Sequence, residues 1–416
     1  MNSETHFTYS NVYVPLPIKL LNKITSSSTS TFGRFNRLDA RNLLRTARHR
    51  TGLSDWGDSR VKEALAALVE SVIQEGNLTF FGRVTMRKFL LENLSSRLRI
   101  IDVLKRFPEI RQQKIHRPIF ITGWYRSGTT FFHNLFASHP TLRAPLFWEL
   151  RYPCPGLDPQ TVAPRHVIRK VNLQAKIHRY LAPGFSRAHR MDPIKPEECL
   201  HLFEKACAGT TAFFITEAKS FAWWLLDHGM RQGYEFYKVQ LQLLSWLRPT
   251  KRWILKWPYH LWHIDTLLKT FPDAIVIILH RDPLEAIPSV CSLAALARAS
   301  FCESIDTAAL GRFWLDYNEA ALRRSEIVRK NVRANQIIDI HYSDLTKDPQ
   351  SVIENMLNQI DLATDKPWLN VLGISQKMKA AKQRKHQYAL SQFGLTADMI
   401  RGRLAGYIEK FELSTT

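Results

Sequence analysis

The sequence predicts an α/β fold of three layers, with helices on both faces of a central parallel sheet and a helical region before it. After about residue 115, short apolar runs alternate with longer segments of helical period, which is typical of parallel sheets covered by helices. Before that residue, apolar side chains recur every three to four positions, as they do on one face of a helix. We therefore divide the chain into an N-terminal helical region, residues 1–115, and an α/β domain, residues 116–416.

The helical region carries a basic stripe as well as apolar faces. Leu65, Leu68 and Val72 have the spacing of a buried helix face. Earlier in the chain, arginines recur with the same period over residues 37–48, beside a separate apolar face. A solvated surface usually explains such a stripe, and contact with an anionic membrane is the alternative.

In the α/β domain, four apolar runs have the length of buried strands. They lie at residues 119–122, 253–255, 274–279 and 337–341. Helical patterns separate these runs, which favours parallel pairing of the strands. The Pro-rich stretches 145–164 and 183–196 are predicted as loops.

The chain is strongly basic. It has 416 residues, with 58 Lys and Arg against 37 Asp and Glu, so its formal charge is +21. This surplus favours anionic partners, but we find no zinc-finger or RNA-recognition module and expect no nucleic acid beyond a nucleotide.

The cysteines and the apolar runs bear on the compartment. The chain has five cysteines, and no two of them have the two-residue gap of a zinc or redox motif, which favours a reducing compartment. No apolar run approaches the roughly 20 residues of a membrane helix. We therefore expect a cytoplasmic protein, and peripheral contact with a membrane is the alternative.

A glycine-rich loop follows the first predicted strand and precedes a helix. Residues 123–130 read Gly-Trp-Tyr-Arg-Ser-Gly-Thr-Thr, close to the pattern in which glycines let backbone N–H groups converge on a phosphate. The N-terminus of the following helix adds a favourable dipole. The predicted fold is therefore of the P-loop type. The candidate anion-binding residues are Gly123, Arg126, Ser127, Gly128, Thr129 and Thr130.

One substitution separates this loop from that of nucleoside triphosphatases. Thr129 stands where those enzymes have Lys, and the fixed cation comes earlier, at Arg126. Enzymes of triphosphates also need Mg²⁺ and an acidic ligand, whereas Asp282 belongs to a different motif. A P-loop kinase or another nucleotide-dependent phosphotransferase stays open as the alternative function.

A second anion-binding motif follows the strand at residues 274–279. The chain continues as His-Arg-Asp-Pro, and Ser289 lies eight residues after Arg281. Asp282 and Pro283 are a favourable helix start. Arg281 at the end of the strand and Ser289 on the helix would hold a separate phosphate.

Together these motifs resemble those of the sulfotransferases that use 3′-phosphoadenosine-5′-phosphosulfate (PAPS), including a bacterial branch of similar length. The loop at residues 123–130 is similar to the family's 5′-phosphosulfate loop, and Arg281 with Ser289 matches its 3′-phosphate motif. Residues 255–258, Leu-Lys-Trp-Pro, resemble its Lys-x-Pro element, and residues 386–395 resemble a C-terminal segment of that branch. Arg126 departs from the cytosolic small-molecule branch, which usually has Lys there.

The resemblance implies in-line transfer of a sulfuryl group from PAPS to an acceptor hydroxyl, and no metal is expected. Arg126 and Lys256 would neutralise the charge that grows on the leaving oxygen. Glu149 is the candidate general base by likeness to the tyrosylprotein branch. His260 and His263 are the competing bases, and Glu197 and Glu198 are further candidates.

A late basic cluster precedes the C-terminal segment. In the resembling family this segment folds over the nucleotide, so Arg384 and Lys385 are candidates for contact with the 3′-phosphate. The acceptor stays open among small molecules, lipids, carbohydrates and peptide tyrosine, and so does the oligomeric state. An inactive family member that acts as a scaffold is a further alternative.

Overall fold

The computed structural model describes residues 14–26, 38–125, 127–154, 165–228, 230–249, 252–362 and 389–413. The chain divides into two compact units. The first comprises residues 1–113, 146–249 and 292–307, and the second comprises residues 114–145, 250–291 and 308–416. The first change of unit lies next to residue 115, but two later segments also belong to the first unit.

The first unit is helical, and the described helices of the whole chain are numbered here in order. They are α1 (Leu16–Ser26), α2 (Ala40–Thr51), α3 (Arg60–Glu75), α4 (Phe80–Arg106), α5 (Thr129–Phe136), α6 (Phe147–Arg151), α7 (Arg165–Leu181), α8 (Pro183–Ala188), α9 (Leu200–Phe203), α10 (Thr211–Ile215), α11 (Lys219–Asp227), α12 (Arg231–Leu247), α13 (Ile264–Thr270), α14 (Pro283–Arg298), α15 (Thr307–Arg329), α16 (Tyr342–Lys347), α17 (Pro349–Gln359) and α18 (Ala397–Lys410). Short 3₁₀ helices lie at Pro108–Gln112, Glu204–Ala206, Pro258–His263, Ala334–Gln336 and Leu390–Phe393. Helices α1 to α4 confirm the predicted helical region.

Two stretches predicted as loops contain helices. Helix α6 lies within residues 145–164, and α8 begins at Pro183 within residues 183–196. The loop prediction was wrong there: Pro183 occupies the first turn of α8, where proline is tolerated, and α6 begins only after Pro145. None of the described helices has both the length and the apolar character that crossing a membrane requires.

The second unit is built on a parallel sheet. Its strands are β1 (Ile119–Gly123), β2 (Leu142–Arg143), β3 (Arg252–Lys256), β4 (Ile275–His280) and β5 (Ile337–His341), in the order β2-β3-β1-β4-β5. Every pair is parallel, as predicted. The sequence did not indicate β2, which has only two residues. Because the strands are parallel, their carboxyl ends meet at one edge of the sheet.

Helices cover both faces of this sheet, which confirms the predicted three layers. Ile119 and Ile121 of β1 face a buried cluster that includes Phe132 and Phe136 of α5 and residues of α16 and α17. Phe120, between those two isoleucines, points to the opposite face, where its ring lies 5.3 Å from that of Phe271. Apolar side chains on both sides of a strand produce the continuous apolar run seen in the sequence.

His260 belongs to the core of this second face. Its side chain is fully buried, with the ring edge-on to Phe120 at 5.2 Å and to Trp257 at 5.3 Å. Burial lowers the pKa of this imidazole to about 3. The folded protein therefore holds His260 neutral over the whole physiological range.

A buried neutral histidine makes stability depend on pH in a defined direction. The unfolded chain protonates His260 near pH 6.5, whereas the folded chain does so only near pH 3. Between these values the unfolded state binds more protons, so the free energy of unfolding should fall by about 1.4 kcal/mol per pH unit on acidification for this one group. We expect His260→Phe to make the fall of the melting temperature between pH 6.5 and 4 shallower. The control is His49→Phe on the exposed face of α2, and equal slopes in wild type and H260F would contradict the prediction.

Candidate functional site

The phosphate-type loop lies between β1 and α5, in the second unit. Gly123 has a φ of +133°, and a Cβ placed there would lie 2.3 Å from the carbonyl oxygen of Leu279 on β4. No residue with a side chain fits this position, so glycine is required for the close approach of the two strands. Gly128 precedes α5 with a φ of +88°, which glycine adopts without strain.

The polar residues of the loop point in different directions. Ser127 is buried and donates its hydroxyl to the carbonyl oxygen of Trp124 at 2.7 Å, so it stabilises the turn. Thr129 is buried and Thr130 is exposed at the start of α5. The N–H groups of a first helical turn have no acceptor within the helix. An anion placed before α5 would accept from them.

Lys256 ends β3, directly beside β1. In the register of the two strands it pairs with Ile121, two residues before Gly123. Its side chain is only 1% exposed, and Nζ donates to Oγ1 of Thr130 at 3.2 Å. The predicted cation and the predicted loop are therefore in contact.

Arg281 follows β4, which is the neighbour of β1 on the other side. Its guanidinium donates to Oε2 of Glu285 from Nε at 2.8 Å and lies 4.5 Å above the ring of Tyr342. The same Tyr342 ring lies 3.4 Å from the position that a Cβ on Gly128 would take. Tyr342 therefore packs between the loop and Arg281, although nothing in the local sequence singled it out.

The helix after Arg281 starts as the sequence predicts. Asp282 accepts the backbone N–H of Leu284 at 2.8 Å, which caps the first turn of α14. Burial raises the pKa of the Asp282 carboxyl. Ser289 is buried on the same helix, 4% exposed. Arg281 and Ser289 thus lie at the two places expected for a strand-end cation and a helix hydroxyl.

A buried polar chain behind these motifs was not predicted. His280, the last residue of β4, accepts a hydrogen bond from the Tyr407 hydroxyl at Nδ1, 2.8 Å away, and donates from Nε2 to Asp339 at 2.7 Å. The direction follows because a carboxylate can only accept. Arg329 pairs with the other oxygen of Asp339. Although burial acts in the opposite direction, the hydrogen bonds from His280 and Arg329 lower the pKa of Asp339 to about 2.

Tyr407 connects this chain to both anion motifs. Its ring lies 5.5 Å from that of Trp124 in the loop, and the backbone of Arg281 hydrogen-bonds to its hydroxyl. Burial raises the pKa of the hydroxyl well above its usual range, so it stays protonated. The only sequence signal for Tyr407 was its place in the apolar period of α18, which predicts burial and not this contact.

Glu149 belongs to the first unit and has a structural task there. It is 2% exposed on α6, where Oε2 accepts the backbone N–H of Leu146 at 2.9 Å. Its other oxygen lies 3.8 Å from Arg248, whose guanidinium is 5.2 Å from the ring centre of Trp148. The carboxylate therefore caps its own helix and faces a cation. These contacts leave its predicted role as a base untested.

His260 is neutral and buried, as described above, and its low pKa makes it a weak base. Arg126, Arg384 and Lys385 lie outside the described residues, so their predicted contacts stay predictions.

One group of side chains in the first unit could hold a metal ion by its geometry. His189, Glu197 and Glu198 each present a ligand atom within 4.8 Å of the others. Nε2 of His189 already lies 3.2 Å from Oε2 of Glu197, and the backbone N–H of Glu198 donates to the other oxygen of Glu197 at 2.9 Å. Hydrogen bonding accounts for this grouping without an ion.

The chain matches known proteins over much of its length. A family model described as "Sulfotransferase family" matches residues 118–366, which is more than half of the chain. Two curated relatives, the omega-hydroxy-beta-dihydromenaquinone-9 sulfotransferases Stf3 of Mycobacterium bovis and Mycobacterium tuberculosis, are each 25% identical over 250 residues. These matches cover 59% of this chain and 63% of each relative, less than two thirds of the relatives' own length.

Two solved structures are similar over nearly the whole chain. Sulfotransferase STF1 of Mycobacterium tuberculosis H37Rv has a TM-score of 0.76 and 29% identity, covering 89% of this chain and 100% of its own. Sulfotransferase STF9 of Mycobacterium avium has a TM-score of 0.77 and 26% identity, covering 91% and 98%. The family match lies on the loop, the Lys256 strand and the Arg281 motif described above. This chain belongs to the sulfotransferase family.

Proposed function

We propose that the chain transfers a sulfuryl group from PAPS to an acceptor hydroxyl. The observation that carries this proposal is the meeting of three elements at one edge of the sheet. The loop after β1 has Lys256 on the strand at one side and Arg281 after the strand at the other. A donor with two separated anionic groups matches two cations on either side of a phosphate-type loop. Membership of the sulfotransferase family favours sulfuryl transfer over the alternative phosphotransfer.

The proposed roles follow from charge. PAPS supplies the sulfuryl group: a bond forms between its sulfur and the acceptor oxygen while the bond to the bridging phosphate oxygen breaks. Lys256 and Arg126 would stabilise the negative charge that develops on that bridging oxygen, more strongly in the transition state than before it. Arg281 and Ser289 would hold the 3′-phosphate, with Arg384 and Lys385 as further contacts.

A general base must take the proton of the acceptor hydroxyl. We propose Glu149 for this role, by likeness to the tyrosylprotein branch of the family and because a carboxylate can take up the proton of a hydroxyl. His260 is the competing candidate. Its low pKa and full burial favour a place in the core over proton transfer.

The acceptor is proposed at the level of a chemical class. The Stf3 relatives are named for an omega-hydroxylated menaquinone derivative, and we propose a hydroxylated small molecule or lipid for this chain. Residues 116–416 would form the donor-binding domain. None of the five cysteines, all of them within the described residues, forms a disulfide, and we propose that the chain works in the cytoplasm, where disulfides are rare.

The donor is tested by calorimetric binding without Mg²⁺. We expect 3′,5′-ADP to bind more tightly than ATP with Mg²⁺, and Arg281→Ala to weaken 3′,5′-ADP by roughly 10- to 100-fold, the loss expected for a charged hydrogen bond. Binding of 5′-AMP, which has no 3′-phosphate, should change little in the same variant. The control is Arg312→Ala, at an exposed arginine of the same unit. Equal losses for the two nucleotides would remove Arg281 from the 3′-phosphate site, and tighter binding of ATP would favour the phosphotransferase.

The charge-stabilising role of Lys256 is tested by Lys256→Met, which keeps most of the buried volume. We expect kcat for transfer of labelled sulfate from PAPS into a cell extract to fall by about 10²- to 10³-fold, with a smaller change in KM. Lys269→Met, at an exposed lysine of α13, is the matched control. A kcat within twofold of wild type would show that Lys256 does not act on the leaving oxygen.

The base is tested by comparing Glu149→Gln with His260→Phe in the same assay. The glutamine keeps a carbonyl oxygen for the Leu146 N–H and therefore preserves the cap, but it cannot take a proton at neutral pH. We expect E149Q to lower kcat by about 10²- to 10⁴-fold at unchanged 3′,5′-ADP affinity, and H260F to retain kcat. The reverse result would assign the base to His260.

A further inference from the structure

Helix α7 of the first unit has one apolar face in the core and a second one in solvent. Val167 and Val171 are buried in a cluster with Phe147 and Trp148. On the outside, the largest apolar side chains are widely exposed: Leu173 by 59%, Ile177 by 49% and Tyr180 by 55%. An ordinary helix of a globular protein has a single apolar stripe, so this second, exposed apolar face needs a separate explanation.

The three exposed residues form a continuous stripe. With 3.6 residues per turn, positions 173, 177 and 180 fall within roughly 60° of one another on the helix surface. They lie on the side opposite to the buried positions 167, 171 and 175. We call these three residues the outer stripe.

The outer stripe lies in a basic surface. Helix α7 contains no acidic residue, and its five arginines and lysines are all exposed. By the same geometry, Arg169 and Lys176 flank the stripe on one side and Lys170 on the other. The five basic residues are Arg165, Arg169, Lys170, Lys176 and Arg179.

Helices α2 and α1 each show one of two features, exposed basic residues or an exposed apolar face, more strongly than the other feature. Helix α2 exposes Arg41, Arg45 and Arg48, but its apolar residues Leu43 and Ala47 are buried. Helix α1 exposes an apolar face but carries two lysines where α7 has five basic residues. Helix α7 therefore joins an exposed apolar stripe to a dense positive charge.

An apolar stripe with basic flanks is complementary to the interface of a membrane that contains anionic lipid. Apolar side chains enter the boundary between headgroups and acyl chains, while long basic side chains reach the phosphates. Tyr180 adds an amphipathic ring of the kind that is enriched at such interfaces. We propose that helix α7 binds the surface of an anionic bilayer through the outer stripe and its flanking basic residues. This proposal does not depend on the proposed reaction.

The experiment is flotation of the full chain with vesicles, without donor or acceptor present. We expect binding to vesicles of phosphatidylglycerol and phosphatidylcholine, little binding to phosphatidylcholine alone, and release at high salt. Two α7 variants should each lose binding: one replaces the outer stripe by Ser, and the other replaces three flanking basic residues by Gln. For three lost charges the loss should be roughly 100-fold. The second variant is Arg169→Gln, Lys170→Gln, Lys176→Gln.

Matched variants on the other helices serve as controls. They replace the exposed apolar face of α1 by Ser and the basic stripe of α2 by Gln, and both should keep most of the vesicle binding. Unchanged melting temperatures would show that the surface changes leave the fold intact. The control variants are Leu16→Ser, Leu20→Ser, Ile24→Ser and Arg41→Gln, Arg45→Gln, Arg48→Gln.

Three results would overturn the proposal. The first is that the chain does not bind anionic vesicles. The second is that the α1 or α2 variants abolish vesicle binding while the α7 variants keep it. The third is that the chain forms an oligomer, which the α7 Ser variant dissociates without a change in vesicle binding. The last result would show that a second copy of the chain covers the outer stripe. Sulfuryl transfer is measured separately, so its failure leaves this test unaffected.

Discussion

The parallel pairing of β1 with β3 and β4 is the constraint on which the candidate site depends. Because the three strands run in one direction, the loop after Gly123, the side chain of Lys256 and the chain at Arg281 emerge at the same edge of the sheet. The contact of Gly123 with Leu279 leaves no space for a Cβ. A glycine is therefore needed to let the loop start this close to β4, whose end carries Arg281, whereas the pairing of β1 with β3 places Lys256.

This arrangement concentrates positive charge at one edge, and polar contacts hold it in place. Thr130 accepts from Lys256, and Glu285 accepts from Arg281. Behind them, Tyr407, His280 and Asp339 form a chain of hydrogen bonds that ties α18 to the ends of β4 and β5. Satisfied buried polar chains of this kind specify one packing, because each unmade bond would leave a desolvated group. The anion motifs are thus supported from a helix close to the C-terminus.

The two candidate bases differ in their surroundings. The Glu149 carboxylate accepts a backbone N–H and lies near a guanidinium. His260 has aromatic rings on two sides, and burial depresses its pKa. A glutamate that caps a helix can also accept a proton, whereas a histidine sealed in the core contributes mainly to packing and to the pH dependence of stability.

The sequence by itself determined four of the five strands, their parallel pairing and the motifs at their ends. Apolar runs, helical periods and the residues of a phosphate loop are local patterns, and local patterns can be recognised in a single sequence. Only the tertiary structure decided that Tyr342 packs between Gly128 and Arg281, that His280 meets Tyr407 127 residues later, and that Leu173, Ile177 and Tyr180 stay outside the core. These features depend on which surfaces the folded chain buries, and burial is set by contacts between residues that are distant in sequence.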